Sequence, residues 1–522
     1  MGLTLSKHGA TVTRRALPAR KPLVGSDQQE AFWDAAVNGS AHVVLEARAG
    51  CGKSTSAREA MWRLLEADRN TQATYVAFNK SIAAEFQHGL PPGTSASTMH
   101  SAGYAALRAE LPHLDGTEPR PYKVRNFAAS CIEGASDDAK LARSAVVKLV
   151  SLCKANLLPA TNAAALSSLV VRYGVRVPKG WDDEVFEATA AVLERCKADL
   201  SCIDFDDMVW LPTVLGLSFP PIDCLFVDEC QDLSPVQHAF VRLMVGQGRL
   251  ILIGDPRQSI YSFRGADTRS MGTLANQLKM TRRGMTWLPL TRTRRCPRLH
   301  VELAQGLVPD FESMPDAPDG TIRDKATPAV LMIPGTMVLS RVNSDLVSLA
   351  YQLVAEEIPV AIQGRDLGQG LVNLIRSFRV ATVGELEFAI EAYQDQELAR
   401  LDGMEDADEE RSLLKDRCDC LYAAVAGCDT VKQVTDRIDR LFQDVSKADQ
   451  GGCVLLSSVH RAKGREANRV AIVRPDLMPH PMARTPEARD QEANLAYVAV
   501  TRSKNHLAFV GERPAYFTTM ED

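Results

Sequence analysis

The stretch Val43 to Thr55, VVLEARAGCGKST, leads a short apolar run into Gly50, Cys51, Gly52, Lys53 and Ser54. These are the residue types a polyphosphate needs. Glycines let successive backbone N–H groups turn around an anion, a lysine reaches the β and γ oxygens, and a hydroxyl can ligate Mg²⁺. Ala47 stands where the pattern G-x-x-x-x-G-K-[ST] begins with glycine, so this stretch alone could also be a glycine-rich turn with a chance lysine. A second group follows the apolar run Cys224 to Val227: Asp228, Glu229, Cys230, Gln231 and Asp232. On the strand next to a phosphate loop, Asp228 could hold Mg²⁺ while Glu229 orients and deprotonates an attacking water. An acidic helix start would account for one carboxylate but not for three around Gln231. The third group, Gly254 to Ala266, reads GDPRQSIYSFRGA; Gln258 could reach a γ-phosphate or its water, and Phe263 offers a ring for base stacking, although a phenylalanine beside a glycine turn also suits a core.

Positioning these groups requires strands that end where they begin. Val43 to Leu45, Thr74 to Phe78, Cys224 to Val227 and Leu250 to Ile253 are apolar runs of strand length. Helices are expected from Ser26 to Asn38, Thr55 to Ala67 and Lys80 to Phe86, the first capped by Ser26 or Asp27. Strand and helix in alternation predict a parallel α/β sheet, with ligands at the C-terminal ends of its strands. Between about 105 and 200 the periodicity is helical throughout, as in Ala142 to Leu157, so this segment reads as an insertion. The proline-rich stretch Val308 to Pro328 reads as a linker or long turn. Beyond it the pattern repeats: strands at Met337 to Leu339, Pro359 to Ile362, Val454 to Ser457, Arg469 to Val473 and Leu507 to Val510, helices at Ser344 to Ala355 and Glu492 to Val500, and a helical interruption near 376 to 450. The acidic run Glu405 to Glu410 within that interruption reads as a solvated loop.

A chain of 522 residues exceeds one core and predicts two to four domains or subdomains. Apolar residues make up 45% and charged residues 24%, as in ordinary globular proteins. With a formal net charge of -5, any nucleic-acid site must be a local groove. The 12 cysteines are scattered, several within apolar runs, and read as reduced buried thiols; Cys418, Cys420 and Cys428 lack a suitably spaced fourth metal ligand. No run approaches the ~18 consecutive apolar residues of a spanning helix, so no membrane association is expected. The first 25 residues carry five Lys or Arg and no acid and read as a flexible basic arm; Met1, Gly2 and Ser6 match only a loose myristoylation pattern.

Taken in order, LEARAGCGKST, FVDECQD and GDPRQSIYSFRGA resemble motifs I, II and III of superfamily 1 DNA helicases of the UvrD/Rep/PcrA type. Gln29 in SDQQ resembles the adenine-reading Q motif, YVAFNKSIAAEF motif Ia, TMHSAGY motif Ib, TRRCP motif IV, SSVHRAKGRE motif V and EANLAYVAVTRSK motif VI. The resemblance runs from 26 to 510 and implies two RecA-like P-loop domains, each a parallel sheet flanked by helices with an α-helical insertion. The first domain would comprise 26–105 and 201–290 with insertion 106–200, and the second 291–375 and 452–522 with insertion 376–451. It further implies ATP and Mg²⁺ as cofactors. Ala49, Gly50, Cys51, Gly52, Lys53, Ser54 and Thr55 would hold the phosphates, with Ser54 and Asp228 on Mg²⁺ and Glu229 as base. Gln258 would sense the γ-phosphate, Arg295 and Arg502 would serve as arginine fingers, and Gln29, Arg294 and Glu466 would contact the nucleoside. Asn79, Lys80, Thr98, His100, Tyr261, Phe263 and His460 would line the DNA track.

Some positions depart from the family's habit: Phe263 stands where tryptophan is frequent and Arg294 where tyrosine is, and the second insertion is short. The resemblance implies an ATP-dependent helicase or translocase on single-stranded DNA, moving 3'→5'. Its expected partners are single-stranded DNA, duplex junctions and replication or recombination proteins. It would act as a monomeric motor in the bacterial cytoplasm with the nucleoid, in a virus-infected cell, or in a eukaryotic nucleus. The rivals are a translocase that strips proteins from DNA without unwinding it, an inactive DNA-binding scaffold, and a small-molecule phosphotransferase whose turnover ignores DNA.

Overall fold

The computed structural model describes residues 17–260, 270–401, 408–442 and 452–517. The described residues form two lobes, each built on a six-stranded sheet. In the first lobe the strands are β1 (His42–Ala47), β2 (Ala73–Ala77), β3 (Ser95–Thr98), β4 (Cys224–Val227), β5 (Arg249–Gly254) and β6 (Met285–Leu290), ordered β3-β2-β4-β5-β1-β6. All pairings are parallel, with Val43 against Ile251 and Phe226 against Ile251 from the other side. The central strands β4 and β5 are buried along their whole length, as expected of a parallel sheet with both faces covered. Asp228 therefore does not come from the strand beside the phosphate loop. Strand β5 lies between β4 and β1, so the GDPRQ segment is wedged between the two chemical groups.

Two residue pairs, β7 (Arg292–Thr293) and β8 (Glu312–Ser313), lead into the second lobe. Its sheet comprises β9 (Thr321–Arg323), β10 (Thr336–Ser340), β11 (Val360–Ile362), β12 (Val454–Ser458), β13 (Ala467–Val473) and β14 (Ser503–Val510), ordered β11-β12-β10-β13-β14-β9 and again all parallel. Within the two six-stranded sheets, the strands that sequence periodicity did not single out are β3, β6 and β9, all edge strands. Strand β3 is a polar four-residue piece, β9 lies inside the presumed linker, and β6 contains Pro289, whose missing N–H is tolerated at an edge.

Helices Lys123–Cys131, Asp137–Asn156, Ala163–Arg172 and Asp182–Ala198 form the first insertion. Their apolar faces share a core with one face of the first sheet. Inside it, Lys123 and Lys154 both reach the carboxylate of Asp207 at 2.7 and 2.8 Å, and Lys154 also reaches Asp204 at 2.8 Å. These ions tie the insertion to the helix Asp207–Leu215. The second insertion contains Val383–Leu401, Asp408–Val425 and Val431–Phe442. A helix from Arg365 to Phe378 crosses the boundary expected at 375, and Gly368 approaches Phe442 so closely that a Cβ would lie 2.7 Å from its ring. Cys418 and Cys420 belong to the apolar core of this insertion. Arg176 of the first insertion pairs with Glu397 of the second, which also receives Arg400 at 2.5 Å. A single apolar core runs between the lobes, joining Phe32 and Ile253 to Val470, Leu495 and Tyr497.

Candidate functional site

The turn after β1 has Gly50 at φ 70° and Gly52 at φ 84°, left-handed conformations that favour glycine. Gly52 is also the N-cap of the helix Lys53–Ala67 and brings no side-chain acceptor for the first-turn N–H groups. The positive end of a 15-residue helix is thus left for an anion. Lys53 Nζ lies 3.4 Å from Glu229 Oε1. Burial opposes the lysine's charge, but Glu229, Asp255 and Asp228 outweigh it and hold its pKa above the ordinary value. Glu229 itself has φ 49°, unusual for a residue with a side chain, and its carboxylate accepts from the Gln231 amide. Strain of this kind costs on the order of 1–3 kcal/mol and persists where the surroundings enforce it.

Two adjacent carboxyls here are driven apart. Burial and then the charge of Glu229 push Asp228 up to about 6. Burial would raise Glu229 too, but Lys53 and Lys463 pull it down to about 2. Tyr75 donates its phenolic hydrogen to Asp228 Oδ2 at 2.5 Å. The carboxylate proposed for Mg²⁺ is thus held by a phenol from the neighbouring strand β2. Oxygen donors with a destabilised buried carboxylate suit a hard divalent cation.

Gly254, at the end of β5, could not be larger: a Cβ would lie 2.4 Å from Gln231 Oε1. Just beyond it, fully buried Asp255 accepts the Gln258 amide at 2.7 Å and Arg48 Nη1 at 3.3 Å. Gln258 is thereby held at the loop, and its carbonyl accepts from Lys463 at 2.6 Å. Tyr261 and Phe263 lie outside the described residues.

The second lobe brings its own residues to this point. Arg294 donates its backbone N–H to the Gly50 carbonyl at 2.9 Å, with its side chain exposed. Arg295 packs so tightly on Gly50 that a Cβ there would lie 2.5 Å from the Arg295 Cβ. Its guanidinium pairs with Glu466, which Lys504 also binds, so two residues expected at separate points of a nucleotide are joined to each other. Arg502 is buried and donates to the carbonyls of Val498 at 2.9 Å and Arg465 at 3.2 Å and to the Thr501 hydroxyl at 3.1 Å. Burial and the neighbouring Arg295 lower its pKa to about 10, which leaves it charged at neutral pH.

Gln29 is buried, with its amide donating to Ser56 Oγ at 2.9 Å and its carbonyl accepting from Ser26 in a capping box. It is Gln28 that reaches between the lobes, exchanging two hydrogen bonds with Thr291 at 2.8 and 2.9 Å. Sequence reasoning also passed over Lys463, which pairs with Asp232 and approaches Glu229 to 3.9 Å, and Tyr497, whose hydroxyl accepts from the Ala49 N–H. Both sit inside stretches already singled out, SSVHRAKGRE and EANLAYVAVTRSK. What marked them was available, a lysine before glycine and a tyrosine in an apolar helix, but their partners are far away in sequence.

A cleft of about 900 Å³ opens beside these groups. It is lined by Phe78 and Asn79 from the first lobe and by His460, Arg461 and Arg341 from the second, with Glu229 and Asp232 at its wall. Phe78 is half exposed and was another residue the sequence did not single out. Asn79 caps the helix Lys80–Gln87 by accepting the Ile82 N–H at 2.9 Å, and Lys80 projects from its exposed first turn. Thr98 is buried as the cap of Met99–Glu110. His100 lines a second cavity of about 400 Å³ with Phe78, Lys154, Asp206 and Trp210, where burial lowers its pKa against the pull of Asp206. Of the expected strand residues, Asn79 and His460 line the first cavity and His100 the second, two cavities that share Phe78 and Asp232, whereas Lys80 and Thr98 line neither.

Residues 28–279 match the family model of the UvrD/REP helicase N-terminal domain, and residues 432–512 that of the UvrD-like helicase C-terminal domain. The chain is 26% identical over 262 residues to DNA helicase II of Salmonella typhimurium, which covers 45% of this chain and 34% of that protein. To the ATP-dependent DNA helicase Rep of the same organism it is 31% identical over 201 residues, 35% of this chain and 27% of the relative. A third relative, F-box DNA helicase protein 1 of Schizosaccharomyces pombe, is 24% identical over 550 residues and spans 92% of this chain and 57% of its own length. The matches thus cover between about a quarter and a third of the two bacterial proteins.

Proposed function

This chain carries UvrD/Rep-type superfamily 1 helicase domains, and from that premise we propose that it is an ATP-driven motor on single-stranded DNA, built from two RecA-like domains and moving 3'→5'. The observation that carries the reading is the meeting of the phosphate loop and the carboxylates of the first lobe with Lys463, Arg295 and Tyr497 of the second. ATP would be held by the loop amides, Lys53 and Ser54. Lys53 would give up part of its contact with Glu229 for the β and γ oxygens. Glu229, kept ionised by Lys53 and Lys463, would orient and deprotonate the attacking water. Ser54 and Asp228 would hold Mg²⁺, which when bound neutralises phosphate charge. Arg295 would exchange Glu466 for the transferring phosphoryl group, and Arg502 would add a second positive charge.

Movement follows from the site being shared. Hydrolysis removes the γ-phosphate that both lobes grip, the lobes separate, and the walls of the adjoining cleft move relative to each other. Asn79 and His460 line the cleft from different lobes, so alternating grips on phosphates and bases would step the strand through.

The test is a pair of assays run together: unwinding of 3'-tailed and 5'-tailed duplexes, and displacement of a protein bound to single-stranded DNA. ATP-dependent unwinding of the 3'-tailed substrate is the expected result. Displacement without unwinding would assign the chain to the stripping translocases, and ATP turnover unaffected by DNA would overturn the motor reading.

A further inference from the structure

The guanidinium of Arg48, inside the phosphate loop, faces two bodies at once. Its Nη1 lies 2.8 Å from Glu46 Oε1 and 3.3 Å from Asp255 Oδ1, both in the first lobe. Its other edge points across to the second lobe, where Nε and Nη2 donate to the two oxygens of Asp310 at 3.0 and 2.7 Å. This is the bidentate geometry that makes arginine–carboxylate contacts strong and directional. Asp310 is followed by Phe311, whose ring meets Tyr497 edge-on at 5.6 Å between centroids. Tyr497 in turn accepts the Ala49 N–H at 2.9 Å and donates toward Asp255 at 3.4 Å. Two adjacent residues of the loop, Arg48 and Ala49, are thus bound by one patch of the second lobe.

We propose that Arg48 is a positioning residue for the nucleotide loop and a releasable tie between the lobes: its bond to Asp310 favours the closed cleft, and its bonds to Glu46 and Asp255 keep the loop seated when the cleft opens. The inference rests on the motor reading for its role in the ATP cycle, but not for the tie itself.

The asymmetry of the partners makes the tie releasable. On the Arg48 side the charge is buried, and stranding it would be costly. It is not stranded, because Nη1 keeps two carboxylates when Asp310 leaves. On the other side, 49% of the Asp310 side chain is already exposed, so the departing carboxylate is readily rehydrated. The tie therefore breaks at Asp310 and not at Asp255. Opening would also withdraw Tyr497 from Ala49 and return that N–H to the loop.

Hydrogen exchange followed by mass spectrometry on the full chain without nucleotide tests the tie directly, and dissociation of a fluorescent ADP analogue tests its role. Asp310→Asn removes the charge at the interface and leaves every first-lobe partner of Arg48 in place. It is expected to speed exchange in peptides spanning 44–56 and to accelerate release of the analogue by about fivefold, the weight of one partly exposed ion pair. Asp310→Glu should restore both. Asp319→Asn, which breaks the Arg298–Asp319 pair within the second lobe, should change neither. Unchanged exchange in Asp310→Asn would overturn the tie. Faster exchange with unchanged analogue release would overturn its role in positioning nucleotide. If wild type binds no analogue, the motor reading falls, and the exchange result still decides the tie.

Discussion

The phenol of Tyr497 sits 2.9 Å from the backbone nitrogen of Ala49 and accepts its hydrogen, although 448 positions separate the two residues. Ala49 belongs to the loop expected to wrap a polyphosphate, so in this closed arrangement one of its amides is answered by the other lobe. Tyr497 is fully buried, and desolvation followed by the charge of Asp255 raises its pKa well above the ordinary value, which keeps it a neutral hydrogen-bonding group.

Tyr497→Phe therefore should have opposite effects on the free and nucleotide-bound protein. It leaves the Ala49 N–H without its acceptor, a loss of about 1–3 kcal/mol for a buried group. Thermal unfolding of the free protein should shift down by a few degrees, while affinity for ATP should hold or rise as phosphate oxygens replace the phenol. Weakened nucleotide binding would show that the hydroxyl supports the loop rather than competing for it.

Lys53→Ala and Glu229→Gln should separate binding from turnover. The first removes the charge facing the phosphates and should weaken nucleotide binding and abolish turnover. The second keeps the hydrogen-bonding shape and should bind nucleotide while turnover falls by about 10²-fold or more, the scale of general-base loss. DNA-stimulated phosphate release and equilibrium nucleotide titration distinguish the two. A Glu229→Gln protein with normal turnover would remove Glu229 from the chemistry.

Lys463→Ala should make stability depend more steeply on pH. Burial pushes Asp232 up to about 6 even with Lys463 beside it. A carboxyl whose folded pKa lies above its unfolded value of about 3.9 favours folding while protonated, and that contribution is lost as pH rises through the window from about 4 to 6. Removing Lys463 raises the folded pKa and extends this loss toward neutrality. The variant should lose most stability relative to wild type at pH 7.5 and less at pH 5, and Asp232→Asn added to it should restore part of the difference. Denaturant melts across pH measure this, and a constant difference would argue against the pair.

Asp207→Asn should be strongly destabilising for reasons unconnected with ATP. Asp207 balances both Lys123 and Lys154 where none of the three side chains is more than marginally exposed. Removing one partner of such a network typically costs about 3–5 kcal/mol. Chemical denaturation should show the loss, with exchange fastest in the first helical insertion. A loss below about 1 kcal/mol would mean that water enters to replace the carboxylate.

The amino-acid sequence by itself determined the phosphate loop, the acidic strand end and the two α/β repeats. Each is written locally: glycines at left-handed positions, a lysine at the start of a helix, apolar runs of strand length. Gly50, Gly52 and the Lys53 helix stand where their pattern predicts. Edge strands β3, β6 and β9 were less legible because half-solvated edges accept serine, proline and short polar segments. Only the tertiary structure decided that β5 separates β4 from β1, that Gln28 rather than Gln29 reaches the second lobe, and that Lys463, Tyr497 and Arg48 bind across the cleft. The reason is physical: a hydrogen bond or ion pair depends on where two groups meet in space, and nothing near Arg48 in the chain signals that its partner is Asp310.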